Sequence, residues 1–174
     1  MDSWAQNDTL FINELKAGYQ WQYIPAIFFK LNGLSVEIPE LTIRDNISEA
    51  DKWLESKDLI VNGYTIECKS RNEEFTNKTD YPYGTCFVDT VSGYDAKTIK
   101  PIAYIIISRK TGSMLCIQSS DNSSWGIEEK FDHVRKIREK FYTCGSNRLH
   151  PLSKLTNYIK AIGVKPEPCI SSTR

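Results

Sequence analysis

A tight β-hairpin is the structure that the sequence specifies most strongly. Asn62-Gly63 lies between two short apolar runs, 59–61 and 64–68. A two-residue type I′ turn requires positive φ at both central residues, and Asn-Gly meets that requirement at low steric cost. Because a turn of fixed length also fixes the pairing of its strands, Val61 is predicted to lie opposite Tyr64, and the pairing continues residue by residue from there.

This register brings three charged side chains together at the open end of the hairpin. Asp58 falls directly opposite Glu67, and Lys69, two residues farther along, points to the same face. Two opposed carboxylates repel each other unless a cation compensates their charge. Mg²⁺ or Mn²⁺ would do so, with the carbonyl of Cys68 as a further ligand and Lys69 activating or positioning a water molecule. A solvated ion pair between Lys69 and one acid explains the spacing equally well.

Asp58, followed nine residues later by Glu67-Cys68-Lys69, resembles the D…(D/E)xK signature of the PD-(D/E)xK nuclease superfamily. The run that continues through Asp80-Tyr81 to the strand at 87–89 is similar to small phage-encoded nucleases, including homing endonucleases, and more distantly to archaeal Holliday-junction resolvases. The resemblance covers about residues 10–118. It implies a single-domain α/β fold with a restriction-endonuclease-like core, in which helices flank a mixed central β-sheet.

The resemblance also implies roles for individual residues. Asp58 and Glu67 would be catalytic metal ligands, and Lys69 would be the catalytic lysine. Many members carry a glutamate on the first helix, and the matching position here is Gln22, with Glu14 two turns earlier. Gln22 is therefore included as a catalytic candidate. An amide supplies less negative charge than a carboxylate, so this departure predicts weaker metal binding.

Basic and aromatic residues outside the hairpin are candidates for contacts with nucleic acid. Arg71 continues the face of Lys69, and Lys97 follows a predicted strand. Arg135 and Arg138 belong to the segment 128–160, which carries 8 basic and 4 acidic residues although the whole chain has a formal net charge of zero. Solvated surface cations are the alternative for all four. Three aromatic residues are candidates for base stacking, with a role in the core as the default: Tyr81, Tyr83 and Trp125.

Composition and length limit the class of protein. With 174 residues, 40% apolar and 25% charged, the chain suits one soluble domain. We assign that domain to residues 1–162 and a flexible tail to 163–174. Five cysteines without a CxxC pair predict reduced thiols rather than a disulfide scaffold or zinc ribbon. The N-terminus lacks the pattern of a signal peptide, so we expect a cytoplasmic protein, in keeping with a phage gene expressed in a bacterial host.

Periodicity and turn signals predict the remaining elements. Helices are predicted near 10–18, over 20–31 with a start or bend at Pro25, from 48, and over 128–142 and 151–162. Strands are predicted at 35–38, 59–61, 64–68, 85–91, 101–108 and 113–118, with a loop over 71–84.

Three functions are compatible with these features. The first is a Mg²⁺-dependent DNA endonuclease, active with Mn²⁺ as well, that hydrolyses phosphodiester bonds as a homodimer or higher homo-oligomer. The second is a nuclease-fold module that binds nucleic acid but has lost catalysis through Gln22. The third is a metal-dependent enzyme with a phosphorylated small-molecule substrate.

Overall fold

The computed structural model describes residues 3–41, 58–132 and 137–165. The helices are α1 (Ser3–Trp21), α2 (Tyr23–Leu31), α3 (Val91–Ala96) and α4 (Leu152–Ile162). The strands are β1 (Val36–Glu37), β2 (Leu59–Val61), β3 (Tyr64–Arg71), β4 (Thr85–Thr90), β5 (Ala103–Ser108), β6 (Met114–Gln118), β7 (Gly126–Asp132), β8 (Ile137–Gly145) and β9 (His150–Pro151). No helix in these ranges is long and apolar enough to cross a membrane.

The protein has a mixed α/β fold with two sheets. Six strands form the main sheet in the order β1-β2-β3-β5-β6-β9, and three form a second sheet in the order β4-β8-β7. In the main sheet β3 and β5 are parallel, whereas the other neighbouring strands are antiparallel. The connection between β3 and β5 passes through β4 and α3. The predicted mixed central sheet flanked by helices is therefore confirmed.

Each face of the main sheet supports its own hydrophobic core. Ile66 of β3 and Ile105 of β5 contribute to a core that α2 and α4 cover. Tyr104 and Ile106 of β5 alternate with those residues and contribute to a second core against β4 and β8. Every residue of β5 is buried, as the apolar run predicts for a central strand. The two faces matter for function because Glu67 and Lys69 point toward the second core and away from the helices.

The predicted Asn-Gly hairpin is present with the predicted register. Asn62 and Gly63 have φ angles of 48° and 81°, as a type I′ turn requires. Leu59 pairs with Ile66, and Val61 pairs with Tyr64. Asp58 lies one residue before this paired segment, and its Oδ2 accepts a hydrogen bond from the N–H of Cys68 in β3.

Most other predicted elements are present with shifted ends. The second helix begins at Tyr23, so that Pro25 falls in its first turn, where no intrahelical N–H bond is lost. Gly18 does not end the first helix, which continues to Trp21. An interior glycine costs a helix only about 1 kcal/mol, which other interactions can offset. The helix predicted over 151–162 is confirmed as α4.

The helix predicted over 128–142 is wrong, because this region forms the antiparallel strands β7 and β8. The apolar residues fit a period of two as well as a helical period, since Ile127 and Phe131 both alternate with charged neighbours. Opposite charges also face each other across the strands, with Lys130 opposite Glu139. Pairing of β8 with the distant strand β4 completes the sheet.

Some predictions fall outside the described residues. These are the helix expected from residue 48, the phosphate contact expected of Arg135, and residues 166–174 of the predicted tail. The four cysteines within the described ranges are free thiols, as predicted.

Candidate active site

A cluster of three acids and two lysines lies between the main sheet and β4. Glu67 and Lys69 come from alternate positions of β3, and Asp58 immediately precedes β2. Asp89 lies near the end of β4, and Lys97 directly follows the short helix α3. The hairpin and the residue before it thus supply the three residues of the sequence motif, β4 of the second sheet supplies Asp89, and the end of α3 supplies Lys97.

Two lysines each join the same pair of carboxylates. Nζ of Lys69 lies 3.0 Å from Oε1 of Glu67 and 3.4 Å from Oδ1 of Asp89. Nζ of Lys97 lies 2.8 Å from Oε2 of Glu67 and 2.6 Å from Oδ2 of Asp89. The side chains of Glu67, Asp89 and Lys97 are only 13%, 7% and 12% exposed. Ion pairs this buried are strong only when their geometry is complete, so loss of one member leaves an uncompensated charge.

Helix α3 positions Asp89 and Lys97 relative to each other. Thr90 caps the helix, because its hydroxyl accepts a hydrogen bond from the N–H of Gly93 at 3.0 Å. Asp89 Oδ1 accepts a bond from the N–H of Thr90 at 2.9 Å, and its Oδ2 accepts one from the hydroxyl of Tyr104 at 3.0 Å. Because α3 has only six residues, Lys97 at its C-terminal end is close enough to contact the Asp89 carboxylate.

Asp58 is the acid of the cluster with the least compensation. Its Oδ2 accepts a hydrogen bond from the N–H of Cys68 at 2.7 Å. Burial, and then the charge of Glu67, raise its pKa to about 6, although Lys69 and the Cys68 hydrogen bond oppose this rise. A cation placed near Asp58 and Glu67 would remove this penalty.

Lys69 is held in its charged form. Burial alone would lower its pKa, but the carboxylates of Glu67, Asp89 and Asp58 outweigh burial and hold the pKa above its ordinary value. A lysine in this state can donate hydrogen bonds and stabilise negative charge. It is not suited to removing a proton from water, so a positioning and electrostatic role is favoured over that of a general base.

The residues present fit a divalent cation through oxygen ligands. Three carboxylates and two ammonium groups leave the cluster with a formal charge of −1. Of the three carboxylates, that of Asp58 is the least stabilised in its charged form. The carbonyl oxygen of Cys68 is the candidate for a third ligand. The carbonyl of Thr65 points toward β5, where it accepts a hydrogen bond from Ile102. Because carbonyl directions alternate along a strand, the Cys68 carbonyl points to the opposite edge of β3, beside Asp58. The Cys68 side chain packs against the first core, on the face of β3 opposite Glu67 and Lys69, so its sulfur lies away from the cluster.

Within the described residues, no group of three His, Cys, Asp or Glu side chains is arranged to hold a metal ion. Two carboxylates with a backbone carbonyl and water are a sufficient ligand set for Mg²⁺, which retains several of its waters when bound.

The first-helix candidates do not join this cluster. Gln22 lies between α1 and α2, and its Oε1 is buried without a hydrogen-bond partner. Its neighbours Trp21 and Ala26 pack into the core on the opposite face of the sheet. Glu14 pairs with Arg109 at 2.9 Å, and Arg109 bonds Ser70, which also lies on that opposite face.

The residues predicted to contact nucleic acid occupy three different environments. Arg71 lies on the face of Lys69 and donates a hydrogen bond to the carbonyl of Phe87. Lys97 is engaged within the cluster rather than on an open surface. Arg138 is 73% exposed on β8, where it lies 3.3 Å from Glu129.

The three aromatic candidates for base stacking also differ in their burial and contacts. Tyr81 is buried and packs on Phe75 with ring centroids 5.4 Å apart. Trp125 contacts the rings of three tyrosines of the second core. Tyr83 is exposed, and its ring lies against that of Tyr81. Packing therefore accounts for Tyr81 and Trp125.

Sequence reasoning missed Asp89 and Tyr104 as members of the site. A signal for Asp89 was present, because it is an acid in an otherwise apolar strand segment, Cys86–Val88, directly before a helix-capping threonine. Such a residue needs a buried partner. Nothing in the local sequence identified Tyr104 or the pairing of Lys97 with Glu67, because both contacts join elements distant in the chain.

Comparisons of this chain with protein-family models, with curated proteins and with solved structures found no match.

Proposed function

We propose that this protein is a metal-dependent endonuclease that hydrolyses phosphodiester bonds in DNA, with Mg²⁺ as its cofactor and Mn²⁺ as a substitute. The observation that carries the proposal is the convergence of Asp58, Glu67 and Lys69 at one end of the hairpin, where burial and the charge of Glu67 outweigh Lys69 and raise the pKa of Asp58. This is the arrangement that the D…ExK resemblance implies.

The residues of the chain divide the work as follows. Asp58 and Glu67 hold the metal, together with the Cys68 carbonyl. A bound divalent cation stabilises charge on the phosphoryl oxygens and lowers the pKa of water. Lys69, which is protonated, orients the attacking water and stabilises the pentacovalent phosphorus. Asp89 fixes Lys69 through the 3.4 Å contact and is therefore a positioning residue.

Basic residues at the exposed start of β8 are a second support for a polyanionic substrate. Arg138 and Lys140 both lie there, on the sheet that also carries Asp89. Positive charge in this region would bind the phosphate backbone without reading its sequence. Two identical sites in a homodimer would cut both strands of a duplex.

Plasmid nicking in the presence of Mg²⁺ or Mn²⁺ tests the proposal. We expect the wild-type protein to relax supercoiled DNA, and Lys69→Ala and Glu67→Gln each to lose at least about a hundredfold in rate. Lys110→Ala is the matched control, because Lys110 is an exposed lysine that pairs with Glu74 at 3.5 Å in a distant turn. Cleavage that persists in both site variants would refute the site.

A second candidate function is nucleic-acid binding without cleavage. The observation that favours it is Lys97, whose ammonium group already contacts Glu67 Oε2 and Asp89 Oδ2 and therefore competes with a metal ion. Tight DNA binding with no nicking at millimolar Mn²⁺ would support this function over the nuclease.

A further inference from the structure

A cleft of about 530 Å³ opens beside the acid–lysine cluster, between β3 and β4 of the two sheets and the antiparallel strands β7 and β8. Its volume lies within the range of about 300–1,000 Å³ that is usual for ligand sites. Lys69 and Asp89 belong to both the cleft and the cluster, so a ligand in the cleft would lie next to the candidate active site.

Three aromatic rings line this cleft. Phe87, Phe131 and Phe141 all contribute to it. The rings of Phe87 and Phe141 meet edge to face with centroids 5.4 Å apart. Phe131 is 44% exposed. The cleft thus presents flat apolar surfaces, and one of them is accessible from solvent.

Cations surround these rings. Lys69 and Arg71 line the cleft on the side of β3, and Lys130 lines it on the side of β7, with its Nζ 4.2 Å from the centroid of the Phe87 ring. The cleft also contains Glu73 and Asp89, so its three cations and two acids give the lining a formal charge of +1, and Asp89 is in addition paired with Lys97 and bonded to Tyr104. The lining is therefore complementary to a ligand that combines a flat ring with negative charge.

We infer that this cleft binds an unstacked nucleobase of the nucleic-acid strand whose phosphate lies at the acid–lysine cluster. The inference rests on the proposed function and adds a substrate class: DNA with single-stranded or unpaired nucleotides. Aromatic side chains bind bases by stacking, and cations beside the rings bind the adjoining phosphates. A paired base in a regular duplex is stacked on both sides and reaches such a cleft only after leaving the helix.

An abasic scan measures the inference directly. A short single-stranded DNA, labelled for fluorescence anisotropy, is titrated with protein in EDTA so that no cleavage occurs. One base at a time is replaced by an abasic residue. For the wild-type protein we expect one position, or two adjacent positions, at which this replacement weakens binding by about 5- to 100-fold, the range for loss of one stacked base.

Phe131→Ala identifies the cleft as the source of that effect. Because Phe131 is partly exposed, its replacement should leave the fold intact, and urea unfolding checks this. We expect the variant to bind the intact strand about as weakly as the wild type binds the sensitive abasic strand, and to be insensitive to the abasic replacement. Ile127→Ala is the matched control, because Ile127 is an exposed apolar residue of the same strand that does not line the cleft.

The outcomes separate this inference from the proposed function. A scan without a sensitive position, or equal affinities for Phe131→Ala and Ile127→Ala, would overturn the inference while nicking by the wild type upheld the nuclease. A sensitive position that depends on Phe131, without cleavage of either plasmid or single-stranded DNA in Mg²⁺ or Mn²⁺, would support the cleft and refute the nuclease. An equal effect of Phe131→Ala on duplex and single-stranded DNA would overturn the assigned substrate class.

Discussion

Replacing Asp58 by asparagine should stabilise the protein at neutral pH when divalent cations are absent. The asparagine keeps an oxygen to accept the Cys68 N–H bond but removes the charge that opposes Glu67. The rise in the Asp58 pKa from 3.8 to about 6 corresponds to about 3 kcal/mol, at about 1.4 kcal/mol per pKa unit. Because Asp58 is only partly buried, we expect about 2 kcal/mol.

The sign of the pH dependence follows from the direction of this shift. Below pH 3.8, Asp58 is protonated in both the folded and the unfolded chain, so its ionisation does not lower the free energy of unfolding. As the pH rises, the unfolded chain loses its proton first, so the folded state loses stability until the pH passes the folded pKa of about 6. The advantage of Asp58→Asn over wild type should therefore be small at pH 4 and complete at pH 8.

Urea unfolding in EDTA at pH 4, 6 and 8 gives the free energies of unfolding for this comparison. Taking the difference between variant and wild type cancels the contributions of other titrating groups. Asp121→Asn, which removes a carboxyl group outside the cluster, controls for the change in net charge. Addition of Mn²⁺ should stabilise the wild type more than Asp58→Asn. A variant less stable than wild type at pH 8 in EDTA would show that the opposed acids are not a liability, and the argument for a bound cation would fail.

Three further predictions test the geometry of the cluster and its hairpin. Asp89→Asn should destabilise the protein by about 3 kcal/mol at pH 7. Burial raises the pKa of Asp89, but Lys69 and Lys97 lower it by more, so the pKa in the folded protein lies below 3.8. The loss of unfolding free energy caused by Asp89→Asn, measured in urea, should therefore shrink as the pH falls below 3.8. Lys97→Met should be destabilising in EDTA by about 2 kcal/mol, and Mg²⁺ should restore part of that loss in thermal unfolding, whereas a purely structural lysine would give no such rescue. Gly63→Ala should cost about 1–2 kcal/mol in urea unfolding, because φ is +81° there and a Cβ atom would lie 3.1 Å from Cβ of Lys165; an unchanged midpoint would contradict the turn geometry.

The sequence predicted the hairpin and three members of the cluster because that information is local. The Asn62-Gly63 turn fixes its own register, from Val61 opposite Tyr64 to Leu59 opposite Ile66, and extending that register by one residue predicts Asp58 opposite Glu67. The buried strand β5 was equally clear, because a run of apolar residues between turn signals has few alternatives. These elements needed no knowledge of the rest of the fold.

The misassigned segment shows where such reasoning ends. Ile137 and Phe141 are four residues apart, which suits one face of a helix and also one face of a strand. The choice depends on whether another strand is available to pair with, and here β4, from a distant part of the chain, pairs with β8. Asp89 and Lys97 were missed as partners of Glu67 for the same reason, since the second sheet brings them to the hairpin.

Lys97 links the stability of the cluster to its proposed chemistry. Its ammonium group contacts one oxygen of Glu67 and one of Asp89, so it supplies the charge that keeps these buried acids tolerable in the absence of metal. A divalent cation at Asp58 and Glu67 would add charge beside this lysine, and the repulsion would weaken metal binding. We therefore expect this lysine to stabilise the metal-free cluster and to oppose the proposed binding of Mg²⁺ at Asp58 and Glu67.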